Sequence, residues 1–144
     1  MTNSRYYSKG DVLYSAGEDS DCLYLVVSGE VTIFSGSSKK PIPVNVIRDK
    51  DFLGEQSLFA KTNRDLHAVV SKNSEIMKIE REDVDSVLGM CHEWVGDILK
   101  LIGERLQSTN HALYEHNLIS ETDSDLSTDE ILFFKKKLEN YLKD

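Results

Sequence analysis

From Phe52 to Arg64 the chain reads Phe-Leu-Gly-Glu-Gln-Ser-Leu-Phe-Ala-Lys-Thr-Asn-Arg, with a Gly-Glu pair near one end and a guanidinium at the other. These residue types suit the gripping of a sugar phosphate. Gly54 has no Cβ, so backbone can pass close to a ligand. A short helical turn beginning there would aim unpaired N–H groups at an anion. The Glu55 carboxylate can accept a hydrogen bond from a sugar hydroxyl. Arg64 presents a planar fork of donors that matches phosphate oxygens. The plainer alternative is an exposed Glu55–Arg64 ion pair, which would be worth little.

Other chemistry finds less support. His67, His92, His111 and His116 are scattered, and the spacing of His111 and His116 is not that of a helical metal pair. Cys91 and His92 are adjacent but have no second ligand cluster. A metal-binding barrel of the cupin type needs a His-rich strand pair, and the β region here has only His67. No Ser/His/Asp or Cys/His set is connected by the sequence. The expectation is therefore no catalytic residue, no metal and no cofactor.

The elements that position Gly54 to Arg64 come from a glycine rhythm. Gly10, Gly17 and Gly29 punctuate short apolar runs, as turns between strands do. Cys22 to Val27 and Val31 to Phe34 read as two buried strands. Ser35 to Pro43 reads as a polar hairpin loop, and Val44 to Arg48 as a further strand. His67 to Val70 and Ile76 to Ile79 read as two more. Residues 6–80 thus form a β unit interrupted by one helical turn.

Two spacings coincide with a known pattern. One is Tyr7-Ser8-Lys9-Gly10-Asp11 followed by Gly17, Asp21, Tyr24 and Gly29, and the other is the stretch from Gly54 to Arg64. Together they resemble the cyclic-nucleotide-binding domain family, over about residues 6–115. The resemblance implies a mainly β fold with C-terminal α: a β-roll or jelly-roll barrel with a cassette helix, a long helix and a tail helix. It implies that Glu55 accepts the ribose 2′-hydroxyl and that Arg64 pairs with the cyclic phosphate. Gly54 would admit the ligand to the backbone, and the N–H groups of Gln56 and Ser57 would face the sugar and phosphate.

Several positions depart from the family pattern. Asp65 stands where Ala, Ser or Thr is usual, Leu66 where Ala is usual, and His67 where Thr or Ser is frequent. Asn63 replaces a frequent Pro, and Lys50 a common turn Gly. The resemblance puts residues 63–67 on the phosphate-facing side, so Asp65 enters the expected site. Asp65 offers no hydroxyl of the kind that favours cyclic GMP, which leans the expectation toward cyclic AMP. A residue capping the base would come from the long helix or the tail, with Arg105, His111 and Tyr114 as candidates.

Beyond Arg81 the period changes. Glu82 to Leu88 fits a short helix ending near Gly89. From about His92 to His116, Val95, Ile98, Ile102 and Leu106 recur at helical spacing, and Trp94, Leu99, Leu101 and Leu113 widen the apolar surface. That surface exceeds what one covering face needs, and in the resembled family this helix often pairs two subunits, so a homodimer through 92–116 is expected. Gly96 and Gly103 weaken the helix but admit a close neighbour. Residues 117–127 read as an acidic linker after a first domain at 1–116. Ser127-Thr128-Asp129-Glu130 has capping-box spacing and predicts a last helix at 128–143. Ile131, Phe134, Leu138 and Tyr141 share one face, which could dock on the β unit, on a partner subunit or on another protein.

The chain has 144 residues, 40% of them hydrophobic, and a formal net charge of −8. That length can bury a real core, and the charge disfavours nucleic acid as a partner. No apolar run approaches a membrane span, and the first residues lack a signal-peptide core. Cys22 and Cys91 suggest no disulfide framework, and a cytoplasmic location follows by default. Too few residues follow His116 for a helix-turn-helix, so a stand-alone module is expected. Two functions remain open: a cyclic-nucleotide sensor that relays binding through its C-terminal helices, or a degenerate domain that binds no nucleotide and serves as a protein-interaction or dimerisation scaffold.

Overall fold

Two long antiparallel strands, paired along most of their length, form the spine of the molecule. The computed structural model describes residues 3–115 and 126–143. In chain order the elements are β1 (Asn3–Tyr7), β2 (Val12–Tyr14), β3 (Cys22–Ser35), β4 (Ile42–Arg48), β5 (Phe52–Leu53), α1 (Glu55–Ala60), β6 (His67–Glu80), α2 (Arg81–Gly89), α3 (Glu93–Glu115) and α4 (Thr128–Lys143). The sheet order is β1-β6-β3-β4, with β2 also on β6 and β5 on β3, and every pair is antiparallel. The result is a jelly roll with helices at its C-terminal side. Its sheet stays open rather than closing into a barrel.

The spine is longer than the sequence implies. Cys22–Val27 and Val31–Phe34 belong to one strand, β3, and His67–Val70 and Ile76–Ile79 to another, β6. Ser71 and Ser74 look like turn residues but are buried in mid-strand. The Ser71 hydroxyl donates to the Glu30 carboxylate at 2.8 Å and accepts from Thr32 Oγ1 at 2.9 Å. Ser74 Oγ accepts the Glu30 N–H at 2.9 Å. Once paired, these polar groups can be buried without breaking the ladder. Gly29 has φ 112°, and a Cβ there would lie 2.1 Å from Ser74 Oγ, so the two strands approach through it.

Alternation along β3 and β6 sends residues to two apolar faces. One face forms the main core with Leu13, Tyr14, Val26, Val31, Ile33, Leu53, Val70 and Ile76. The other presents Phe34 and Val69, which α4 covers with Phe134 and Leu138, all fully buried. The Phe34 and Phe134 ring centroids are 5.9 Å apart. Of the three docking possibilities left open for α4, the structure has it on the chain's own β unit. Ser127 Oγ accepts the Glu130 N–H at 3.2 Å, as its capping-box spacing predicts. The expected linker lies, up to residue 125, outside the described residues, as does His116.

The long helix α3 crosses α1, and Gly103 is the reason it can lie so close. A Cβ on Gly103 would come within 2.9 Å of the Gln56 carbonyl oxygen and 3.1 Å of the Ala60 nitrogen, while Gly96 faces open space. The two glycines therefore respond oppositely. Gly103→Ala should destabilise the fold by about 1–3 kcal/mol through overpacking. Gly96→Ala should stabilise it by up to about 1 kcal/mol through helix propensity. Urea unfolding of both variants measures the signs, and equal effects would contradict this packing.

Candidate functional site

Gly54 opens α1 in the left-handed region, at φ 86° and ψ 2°. A Cβ there would lie 2.6 Å from Arg64 Nη1. The close approach inferred for Gly54 is thus, within the protein, an approach to the arginine. Arg64 is 4% exposed. Its Nη1 donates to the Gly54 carbonyl at 2.9 Å and to Ser57 Oγ at 3.1 Å. Its Nη2 donates to the Cys22 carbonyl. The guanidinium carbon stands 4.3 Å from the centroid of the Tyr14 ring, a stacked cation–π contact. Only Nε is buried without a partner.

The backbone of Arg64 is fixed as firmly. Its N–H donates to the Glu18 carbonyl at 2.8 Å, and its carbonyl accepts the Gly17 N–H at 2.7 Å. Asn63 Nδ2 adds a bond to the Gly17 carbonyl at 3.1 Å. The loop after β2 therefore clasps the end of the cassette. Ser20 and Ser57 share a hydroxyl–hydroxyl bond at 2.9 Å. Arg81 donates to the carbonyls of Leu58 and Ser20, which ties α1 to the start of α2.

These elements surround a cavity of about 440 Å³. Gly54, Glu55, Gln56, Ser57, Arg64 and Asp65, the six residues expected from the sequence, all line it. Asp65 is exposed at its edge, and Leu66 lines it while packing against the core. Tyr14, Ile33, Ile42, Ile47, Phe52 and Leu53 supply apolar walls. The first N–H groups of α1 have no acceptor within the helix, as at any helix start. Burial pushes the Glu55 carboxyl above its usual range, and the nearby Asp51 charge adds to this while Arg64 opposes it. No ion pair joins Glu55 to Arg64 among the described residues, so the plainer reading of the two is set aside.

Some placements differ from expectation. His67 and Asn63 do not line the cavity. His67 is buried, its Nδ1 accepting the Ala16 N–H at 3.2 Å and meeting Ser15 Oγ at 2.9 Å. Its Nε2 therefore carries the ring proton and donates to the Gly36 carbonyl at 2.9 Å. The ring joins two loops, which is why it turns away from any phosphate. Arg105 does not line the cavity either, and the side chains of His111 and Tyr114 lie outside the described residues. Instead α3 offers Gln107 and Asn110. Gln107 bonds Thr62 Oγ1 at 2.8 Å, and Asn110 Nδ2 donates to Gln56 Oε1 at 3.0 Å. Sequence reasoning missed these amides and Tyr14. Gln107 and Asn110 sit three residues apart on one helix face, a signal legible only once the register of α3 on α1 is known. Among the described residues no cluster of His, Cys, Asp or Glu could hold a metal.

The raised Glu55 carboxyl has a stability consequence. A carboxyl whose folded pKa exceeds its unfolded value makes the fold less stable as pH rises between the two values, and that cost persists above them. Glu55→Gln should thus melt at a higher temperature than the parent at pH 7. The difference should vanish below the unfolded carboxyl pKa, near pH ~3. Thermal unfolding at the two pH values is the measurement, and a lower melting temperature for the variant at pH 7 would contradict the burial argument.

Residues 4–90 match the profile of the cyclic nucleotide-binding domain. No curated protein matches the sequence. Among solved structures, the cAMP-bound form of the EAL enzyme Bd1971 is similar at 21% identity and a TM-score of 0.66, over 81% of this chain and 32% of that one. The regulatory domain of Toxoplasma gondii PKA with cAMP is similar at 21% identity and a TM-score of 0.60, over 72% of this chain and 39% of that one. A cyclic nucleotide-binding-like protein from Brucella abortus shares 26% identity at a TM-score of 0.55, over 61% of this chain and 76% of that one. This chain therefore spans only about a third of the length of the EAL enzyme, and these likenesses are of fold. With the profile match extending over more than half of the 144 residues, and with the glycine frame, the cassette and the strand order in place, the chain belongs to the cyclic nucleotide-binding domain family.

Proposed function

We propose that this chain is a non-catalytic regulatory module that binds a cyclic nucleoside monophosphate, cyclic AMP in preference to cyclic GMP, in the cavity under α3. The carrying observation is the juxtaposition of Glu55 and Arg64 on one nucleotide-sized cavity, with Arg64 Nε buried and unpartnered. Glu55 would accept the ribose hydroxyl, the N–H groups of Gln56 and Ser57 would meet the sugar and phosphate, and Arg64 would supply the cation. Asp65 offers no hydroxyl donor for a guanine, which supports the cyclic AMP preference. The cAMP named for two of the similar structures supports the ligand class.

Relay would run through α3. Its Gln107 and Asn110 line the cavity and bond Thr62 and Gln56 of the cassette, so ligand contacts with the cassette favour one placement of α3 over another, a population shift. Trp94, Ile98, Leu101, Ile102 and Leu106 leave an exposed apolar stripe on this helix, which supports pairing with a second copy. No helix among the described residues is long and apolar enough to cross a membrane.

A second reading has its own observation. The Arg64 guanidinium already spends both terminal nitrogens on protein acceptors, which suits a degenerate domain that keeps the arginine for structure and acts as a scaffold.

Calorimetric titration with cyclic AMP and cyclic GMP separates the two. Saturable binding is expected, with cyclic AMP the tighter ligand. Arg64→Lys keeps the charge but loses the fork, and it should weaken binding by on the order of tenfold to a hundredfold. A folded parent that gives no heat with either nucleotide would favour the scaffold. Sedimentation equilibrium tests the pairing: Ile98→Glu should shift a dimer to monomer, and an unchanged mass would remove α3 as the contact.

A further inference from the structure

From Tyr14 to Glu18, each residue meets either Arg64 or His67. The Tyr14 ring stacks on the Arg64 guanidinium, 4.3 Å from its carbon. The Ser15 hydroxyl and the Ala16 N–H meet His67 Nδ1 at 2.9 Å and 3.2 Å. The Gly17 N–H donates to the Arg64 carbonyl at 2.7 Å, and the Glu18 carbonyl accepts the Arg64 N–H at 2.8 Å. The imidazole is thus anchored at the middle of a segment whose two ends hold the arginine. On its far side Nε2 donates to the carbonyl of Gly36, a residue of the cavity wall. Ser15 is wholly buried and His67 is 4% exposed, so water does not make good the loss of these bonds.

We infer that His67 is a positioning residue for the nucleotide site, holding Arg64 in place through the segment from Tyr14 to Glu18. This rests on the nucleotide-binding reading above. The segment has little stiffness of its own. Beyond β2 it turns at Gly17, with φ 95°, and closes through one bond of 3.2 Å from the Glu18 N–H to the Ser15 carbonyl. The ring supplies the missing anchor at Ser15 and Ala16. Its two nitrogens do different work. Nδ1 takes the loop, and Nε2 gives its proton to the Gly36 carbonyl, which keeps Nδ1 free of a proton and able to accept. Without the Nδ1 bonds the loop moves more freely, and the clasp on the Arg64 backbone and the stack on its guanidinium loosen with it. A ligand anion would then meet a less well placed cation.

Two amide variants separate the ring nitrogens. His67→Asn sets an amide oxygen near the place of Nδ1 and gives up Gly36. His67→Gln sets an amide nitrogen near the place of Nε2 and gives up the loop. In the full chain, His67→Gln should bind cyclic AMP about threefold to tenfold more weakly than the parent, the range expected for one lost hydrogen bond. His67→Asn should recover most of that loss, whereas a role in packing alone would not rank the two amides this way. Hydrogen exchange without nucleotide gives a second readout. The Ala16, Gly17 and Arg64 amides should exchange faster in His67→Gln than in His67→Asn, by a similar factor. Ser15→Ala keeps the ring and removes one of its partners, so it should act in the direction of His67→Gln even where the ring variants fold poorly. Exchange of those amides unchanged by Ser15→Ala, or equal in the two His67 variants, overturns the positioning role whether or not any nucleotide binds. A His67→Asn affinity no better than that of His67→Gln overturns it too. The expected order of exchange in a protein that takes up no cyclic AMP sinks the nucleotide reading and leaves the hold of His67 on Arg64 standing.

Discussion

A guanidinium moved out of water must recover its lost hydration from fixed acceptors, or the fold cannot hold it. Arg64 is almost wholly buried, and much of the molecule near the cassette follows from supplying it. Gly54 takes a left-handed conformation that brings its carbonyl to Nη1, and Ser57 turns inward from the first turn of α1 to share that donor. The carbonyl at the start of β3 meets Nη2, and Tyr14 from β2 stacks over the plane. The loop between those strands then fixes the Arg64 backbone. Three separate parts of the chain converge on one side chain and a fourth on its backbone, which makes this residue at once structural and the main candidate for gripping an anion.

That double role shapes the electrostatics around it. Burial raises the Tyr14 phenol and the Cys22 thiol above their usual ranges, so both stay neutral beside the cation, and it also disfavours the charged form of Glu55. The low-polarity walls around Arg64 strengthen whatever charge interaction it makes. An anionic ligand would enter a site where the cation is already poised but engaged, so its binding is an exchange of acceptors rather than the filling of an empty socket. Such exchanges convert ligand chemistry into movement, because the displaced protein groups must find new positions.

A second constraint comes from the spine of β3 and β6. Both strands carry large apolar residues on two faces, and an open sheet cannot leave both in water. The inner face closes on itself. The outer patch of Phe34 and Val69 is sealed by α4, whose burial of Phe134 and Leu138 is as complete as anything in the main core. On α3 the stripe from Trp94 to Leu106 has no such cover among the described residues and remains exposed.

The cassette from Gly54 to Arg64, the glycine rhythm, the tail helix from Thr128 to Lys143 and its Ser127 cap were all legible from the chain alone, because each depends on local chemistry: φ > 0 at glycine, helix periodicity, and a side chain reaching a backbone N–H three residues away. Family membership was legible for the same reason, since it lies in the spacing of such residues. What the chain alone could not reveal depends on partners distant in sequence. His67–Val70 and Ile76–Ile79 read as two strands until Glu30 and Thr32 are placed opposite Ser71 and Ser74 in the sheet. His67 reads as a site residue until Ser15, Ala16 and Gly36 surround its ring. Gln107 and Asn110 enter the site only because Gly103 lets α3 settle on α1. Local rules act over a few residues and can be read in one dimension, whereas the burial of a polar group is decided by what the fold brings opposite it, and only the tertiary structure contains that information.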